Sequence, residues 1–228
     1  MSSSPHFPPA YRALMVAGRE PFLAAMEAAQ HQPEDGLLLW SPEPLCARVA
    51  VVLEPADPAP RTAPLALVAM VGLGDALGAL VAPEIPVTFD WPDRIYLNGG
   101  LVGGVRAAIA PTTADDEVPA WMVIGCRIEV AGEGVDPAPG ERPDLTSLFE
   151  EGSADISATD VIDAFARHFL LWINRWQEDG FGPVAREFMG RAEPAGLRLD
   201  SHGNLIGTDG TRHLLTDALQ ATARIDAP

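Results

Sequence analysis

Apolar positions along this chain recur with two periods, and the places where the period changes divide it into elements. Over 21–30, Phe22, Leu23, Met26 and Ala29 fall on one helical face. Residues 48–54 (RVAVVLE) are β-branched and apolar, which predicts a buried strand ended by the proline-rich run 55–60. Over 63–81, leucine or methionine at 65, 67, 70, 73, 77 and 80 predicts a buried helix stopped by Pro83, and 87–91 then reads as a short strand. Segments 94–98 and 101–109 flank Asn98-Gly99-Gly100, a strong hairpin signal. With that turn, Ile95 and Leu97 share one sheet face and Tyr96 takes the other, while Val102 and Val105 sit on the returning strand. Residues 119–130 (PAWMVIGCRIEV) predict a further strand, apolar on both faces at its start, followed by a Pro/Gly loop over 131–141. The clearest helix spans 159–179. Val161, Phe165, Phe169 and Ile173 recur at i+4, Thr159 or Asp160 can cap it, and Gly180 closes it. After Pro194 the pattern turns to short strands (LRLD, LIGT, RHLL), with turn signals at 202–204 and at Asp209-Gly210.

Helices and strands alternate early, and antiparallel hairpins accumulate in the middle. The expected fold is therefore α+β: a mixed β-sheet with flanking helices, packed on one face, plus a small C-terminal β domain. Three units follow: a flexible Ser/Pro-rich leader over 1–10, the main domain over 11–192 and a β appendage over 193–228.

Composition narrows the function. The 228 residues are 47% hydrophobic, enough to bury a sizeable core. Fifteen Lys+Arg against 32 Asp+Glu give a net charge of −17, a surface that repels phosphate backbones and anionic lipid heads, so neither nucleic acid nor membrane is an expected partner. All fifteen of those cations are arginine; the chain contains no lysine, which excludes any step needing a lysine amine from it. Two cysteines are too few for a disulfide framework, residues 1–10 lack a signal pattern, and Asp75 with several glycines interrupts the longest apolar run, 63–82. The reading is a soluble cytoplasmic protein.

Most chemical motifs are missing. The five histidines are scattered without ligand spacing, and His168 within the long helix reads as structural. There is no G-x-S-x-G elbow and no P-loop. The glycines of GLGDALG (72–78) lie inside a helical pattern and read as sites of close helix packing. Cys126 reads as a buried, inert thiol, with Arg127 on the opposite strand face. The pairs Asp115-Asp116 and Glu150-Glu151 read as solvated surface. One constellation remains: residues 90–105, DWPDRIYLNGGLVGGV. A strand enters a Trp-Pro corner, then a hairpin, then a Gly-Gly pair where backbone must approach something closely. Tight sheet packing explains such glycines; so does a ligand lying along open backbone with Trp91 as an apolar wall.

This stretch resembles the central motif of the biotin/lipoate protein ligase family, K-W-P-N-D-(I/L)-x-(V/L)-x-G-x-K-x-x-G-I. Residues 63–80 resemble the helix before that motif, 123–130 (VIGCRIEV) the later G-I-G-I-N strand, 164–182 the closing helix and 197–215 the small β domain that often follows. The resemblance implies a mixed sheet that holds biotin or an acyl group such as lipoate or octanoate. It also implies ATP and Mg as co-reactants, an acyl-adenylate intermediate, and transfer to a lysine of a carrier protein domain. The departures are specific. The family lysine that holds the reacting carboxylate and phosphate corresponds to Leu101, the motif's first lysine to Asp90, and its Asn-Asp pair to Asp93-Arg94. The glycine- and arginine-rich loop that covers the adenylate has no counterpart; Gly36 and three leucines lead instead to Trp40-Ser41-Pro42. Arg127 and Glu129 replace Gly and Asn of the later strand. An apolar side chain cannot stabilise developing negative charge. The expected ligand pocket comprises Trp40, Trp91, Pro92, Asp93, Gly103, Gly104, Gly125 and Arg127. Two functions follow from it: a divergent member that keeps the pocket without lysine-dependent adenylation, or an active transferase in which Arg94, Arg106 or Arg127 replaces the lysine.

Overall fold

The computed structural model describes residues 5–112, 114, 116–131, 144–192 and 196–225. Seven strands, β1 (Arg12–Met15), β2 (Leu37–Trp40), β3 (Cys46–Leu53), β4 (Val87–Asp90), β5 (Arg94–Leu97), β6 (Gly100–Ile109) and β7 (Met122–Glu129), form one sheet. Their order is β1-β2-β3-β7-β6-β5-β4; β1 runs parallel to β2 and the other neighbours are antiparallel, so the sheet is mixed as expected. Three two-residue strands, β8 (Arg198–Leu199), β9 (Leu205–Ile206) and β10 (Arg212–His213), make a small separate antiparallel sheet. The helices are α1 (Pro21–His31), α2 (Ala59–Thr62), α3 (Leu65–Leu80), α4 (Ala158–Asp179), α5 (Phe181–Arg191) and α6 (Leu215–Ile225).

The helices cover both faces of the sheet, not one. On the first face α3 and α4 build the larger core with Val49, Val51, Val105, Ile124 and Ile128. On the second, α1 sets Phe22, Ala25 and Ala29 against Leu37, Leu39, Ala50, Val52 and Val123. The reason is that β3 and β7 are apolar on both faces and need two covers. Leu23, expected on the buried face of α1, is exposed; Phe22 and the alanines face the sheet instead.

Of the α3 glycines, Gly72 and Gly74 serve close packing as expected, while Gly78 is exposed with nothing within 4 Å of its Cβ position. A Cβ on Gly72 would stand 3.0 Å from the Phe169 Cα, so only glycine lets α4 approach there. The stretch Ala59–Leu80 is long and apolar enough to cross a membrane by length and composition, but it is mostly buried within the protein. At α4 the cap is Ser157, not Thr159 or Asp160. Asp160 completes a capping box from the third helical position. Asn98 and Gly99 turn the hairpin with φ of 50° and 87°, which requires their residue types. Ile95 and Leu97 are buried together, and a register shift between Ile95 and Tyr96 lets both Val102 and Val105 face the same core.

Five elements went unread in the sequence: β1, β2, α2, α5 and α6. The C-terminal segment is therefore not β alone, because α6 packs against β6 and buries Leu215 and Leu219 in the larger core. Phe7, from the stretch read as a loose leader, packs against Trp40 at 6.3 Å between ring centroids. Residues 1–4, Asp115 and the expected loop 131–141 beyond Ala131 lie outside the described residues.

Candidate functional site

The second face of the sheet is covered by α1 over β2, β3 and β7, and it carries a row of arginines beside that cover. Arg94 stands opposite Gly104, Gly104 opposite Arg127, and Arg127 opposite Arg48, in register across β5, β6, β7 and β3. Directly opposed residues project to the same face. Their chain neighbours Ile95, Val105, Ile128 and Val49 are buried in the larger core, which sends the arginines to the other side. Only a hydrogen atom stands on Gly104 between Arg94 and Arg127. At about 4.8 Å per strand step, these two frame a slot about 10 Å wide between their backbones. Arg106, two residues along β6, shares this face; its guanidinium lies 4.8 Å from the Phe22 ring centroid, and its Nε is buried without a hydrogen-bond partner.

The two glycines also have a backbone reason. A Cβ on Gly103 would overlap the Arg127 carbonyl oxygen, and one on Gly104 would overlap the Asp93 carbonyl oxygen. That carbonyl accepts from the Val105 amide at 2.9 Å, so β5 and β6 are drawn together there. Leu101 opposes Tyr96 on the arginine-bearing face and is half-buried. Its amide donates to the Asp144 carbonyl at 2.9 Å, and its carbonyl accepts from Thr146 at 3.0 Å.

Arg127 donates through Nε and Nη2 to Glu129 Oε1, at 2.8 and 2.5 Å. A guanidinium carries five N–H donors, so Arg127 keeps donors for another acceptor beyond Glu129. Burial alone would lower its pKa, but the bond to Glu129 and the nearby Cys46 raise it overall, so the charge is permanent. The Arg94 pKa is raised too, chiefly by a hydrogen bond with Tyr96. Cys46 Sγ lies 3.8 Å from Glu129 Oε1, and burial, then Glu129, push its thiol up. Burial pushes the Cys126 thiol well up on the opposite face, in line with an inert thiol. Among the described residues no group of three or more His, Cys, Asp or Glu could hold a metal ion.

Of the residues singled out in the sequence, Gly104, Arg127 and the Asp93 backbone meet at the slot, whereas Gly103 opposes Ile95 and Ile128 and faces the larger core. Gly125 lies two residues along β7 beneath α1; a Cβ there would be 2.7 Å from the Phe22 ring, so Phe22 fills its notch. Trp91 and Trp40 pack against the larger core, on the other side of the sheet. Trp91 follows β4, joined to buried Pro92 by a cis peptide, and its Nε1 donates to the Gly203 carbonyl at 3.1 Å. Sequence reasoning missed Arg48, which only the β3–β7 register brings beside Arg127.

Residues 7–190 match the model of the biotin/lipoate A/B protein ligase family. A biotin–[acetyl-CoA-carboxylase] ligase of Paracoccus denitrificans is 30% identical over 173 residues, spanning 72% of this chain and 71% of that protein. The crystal structure of a biotin protein ligase-like protein of unknown function from Silicibacter sp. TM1040 is 31% identical, with a TM-score of 0.84 over 94% of this chain and 98% of that one. Biotin protein ligase from Aquifex aeolicus shares the fold at 15% identity, with a TM-score of 0.68 over 90% of this chain and 96% of that one.

Proposed function

Because the chain belongs to the biotin/lipoate A/B protein ligase family, we propose that it binds a small carboxylate of the biotin, lipoate or octanoate class on the arginine-bearing face, without lysine-dependent adenylation. The acid end lies across Gly104 between Arg94 and Arg127, where guanidinium forks match a carboxylate. The supporting observation is the shared register of Arg94, Gly104, Arg127 and Arg48, together with leucine at position 101 on the same face. Loss of a catalytic charge of this kind costs about 10²–10³ in rate.

A second reading is favoured by the same co-facial arginines and by the name of the Paracoccus denitrificans relative. In it, arginine takes over from the lysine, ATP with Mg is the co-reactant, and the acyl group passes to a carrier protein domain. Arg94, Arg106 and Arg127 would then meet the phosphates. Pyrophosphate release from ATP, measured with biotin, lipoate or octanoate present, separates the two. Release no greater than without the acid, with binding retained, supports the first reading; acid-dependent release overturns it in favour of the second.

A further inference from the structure

The indole of Trp91 joins two parts of the molecule that are far apart in the chain. Its Nε1–H donates to the Gly203 carbonyl at 3.1 Å, and its ring packs against the larger core. Gly203 has little room to shift: its φ is +72°, and a Cβ there would meet Leu215 and Leu67 side-chain carbons at 2.9 Å each. A single carboxylate ties the turn that carries it. Asp200 accepts from the His202 amide at 2.8 Å and from the Asn204 amide and Nδ2 at 3.0 Å, and it forms an ion pair with Arg212 Nη2 at 2.6 Å. Asn204 Oδ1 in turn accepts from the Leu215 amide at 2.9 Å, at the start of α6.

The other side of Trp91 is equally constrained. Pro92 and Asp93 are buried, and the Asp93 carbonyl both accepts from the Val105 amide at 2.9 Å and fills the space beside Gly104. The next residue is Arg94, opposite Gly104. We infer that Trp91 is a positioning residue: by holding the Gly203 carbonyl it ties the C-terminal sheet to the β5–β6 step and sets where Arg94 stands beside Gly104. The consequence for ligand affinity rests on the function proposed above; the consequence for the backbone does not.

Trp91→Phe keeps an aromatic ring and removes the N–H donor, while Asp200→Asn keeps the shape of the turn and removes its charge. Amide hydrogen exchange on the full chain without ligand reads the backbone, and titration of octanoate, biotin and lipoate reads the slot. In both variants, exchange at the Val105 amide rises about five-fold relative to Val123 on β7, the weight of one net hydrogen bond. Affinity for the acid that wild type binds falls by a similar factor. Unchanged exchange at Val105, or an equal rise throughout the sheet, overturns the inference, because Trp91 would then act only on overall stability. If wild type takes none of octanoate, biotin and lipoate, the ligand reading fails, and exchange at Val105 still decides the positioning role.

Discussion

Alanine at position 104 is expected to cost about 3 kcal/mol, whereas alanine at position 78 is expected to stabilise the protein. At Gly104 the new Cβ would overlap the Asp93 carbonyl oxygen and lie 3.0 Å from its carbon and 3.3 Å from the Arg94 Cα. Backbone cannot rotate aside as a side chain can, so β5 must move off β6. That movement gives up the bond from the Val105 amide to Asp93, 2.9 Å in the native sheet. Its net worth is about 1 kcal/mol, and the overpacking adds about 1–3 kcal/mol more. For a chain of this size the loss lowers Tm by roughly 6–12 °C. Gly78 lies near the exposed end of α3 with nothing within 4 Å of its Cβ position. Alanine there gains about 0.5–1 kcal/mol, because glycine loses more backbone freedom in a helix. Urea denaturation followed by tryptophan fluorescence reads both, with the slope m unchanged. A loss below about 1 kcal/mol for Gly104→Ala, or midpoints that move in the same direction, would refute the claim that glycine is needed there for strand approach.

Two further expectations concern carboxylates that tie elements together away from the slot. Asp75 accepts from Trp172 Nε1 at 2.7 Å and Arg191 Nη2 at 2.5 Å, joining α3, α4 and α5. Asp75→Ala strands the buried Trp172 and half-buried Arg191 donors and is expected to cost about 2–3 kcal/mol in urea denaturation, with Asp75→Asn losing less; a cost under about 0.5 kcal/mol would contradict this. Burial pushes the Asp200 carboxyl up, but hydrogen bonds from Asn204 and the His202 amide, with the Arg212 charge, outweigh it and lower its pKa from the ordinary 3.8. A carboxyl lowered in the folded state stabilises above its ordinary pKa and loses that contribution as pH falls through the folded value. The stability gap between wild type and Asp200→Asn is therefore full near neutral pH and closes on acidification below about pH 4; a gap constant to about pH 3 would sink the idea.

The parts of the fold that local chemistry decides were legible in the sequence. Asn98-Gly99 announced the hairpin because few other pairs tolerate two left-handed residues. The i+4 row Val161, Phe165, Phe169 announced α4 because that face is buried against α3. The four-residue strands β1 and β2 show no alternation, since β1 is exposed throughout and β2 is almost wholly buried. The start of α4 was misplaced because Ser157 precedes the apolar row and Asp160 looked like a cap in its own right. The site was legible only in part. Alternation placed Arg127 away from Cys126, but nothing local relates Arg48, Arg94 and Arg127. Their common row exists only once β3, β7, β6 and β5 are paired, and it is the register that puts Gly104 between two of them.

Ligand capture by Arg127 is tested most directly by isothermal titration of octanoate, biotin and lipoate into wild type and Arg127→Ala. The Arg127 side chain is 57% exposed and paired with Glu129, so its removal costs the fold little while taking away a charged contact to the acid. Such a contact is worth about 1.5–3 kcal/mol. Wild type is expected to bind at least one of the three acids, and Arg127→Ala to bind it about 10–100-fold more weakly. Equal or tighter binding by Arg127→Ala would mean that the side chain plugs the slot, and binding by neither protein at millimolar concentrations would mean that the slot takes no such acid.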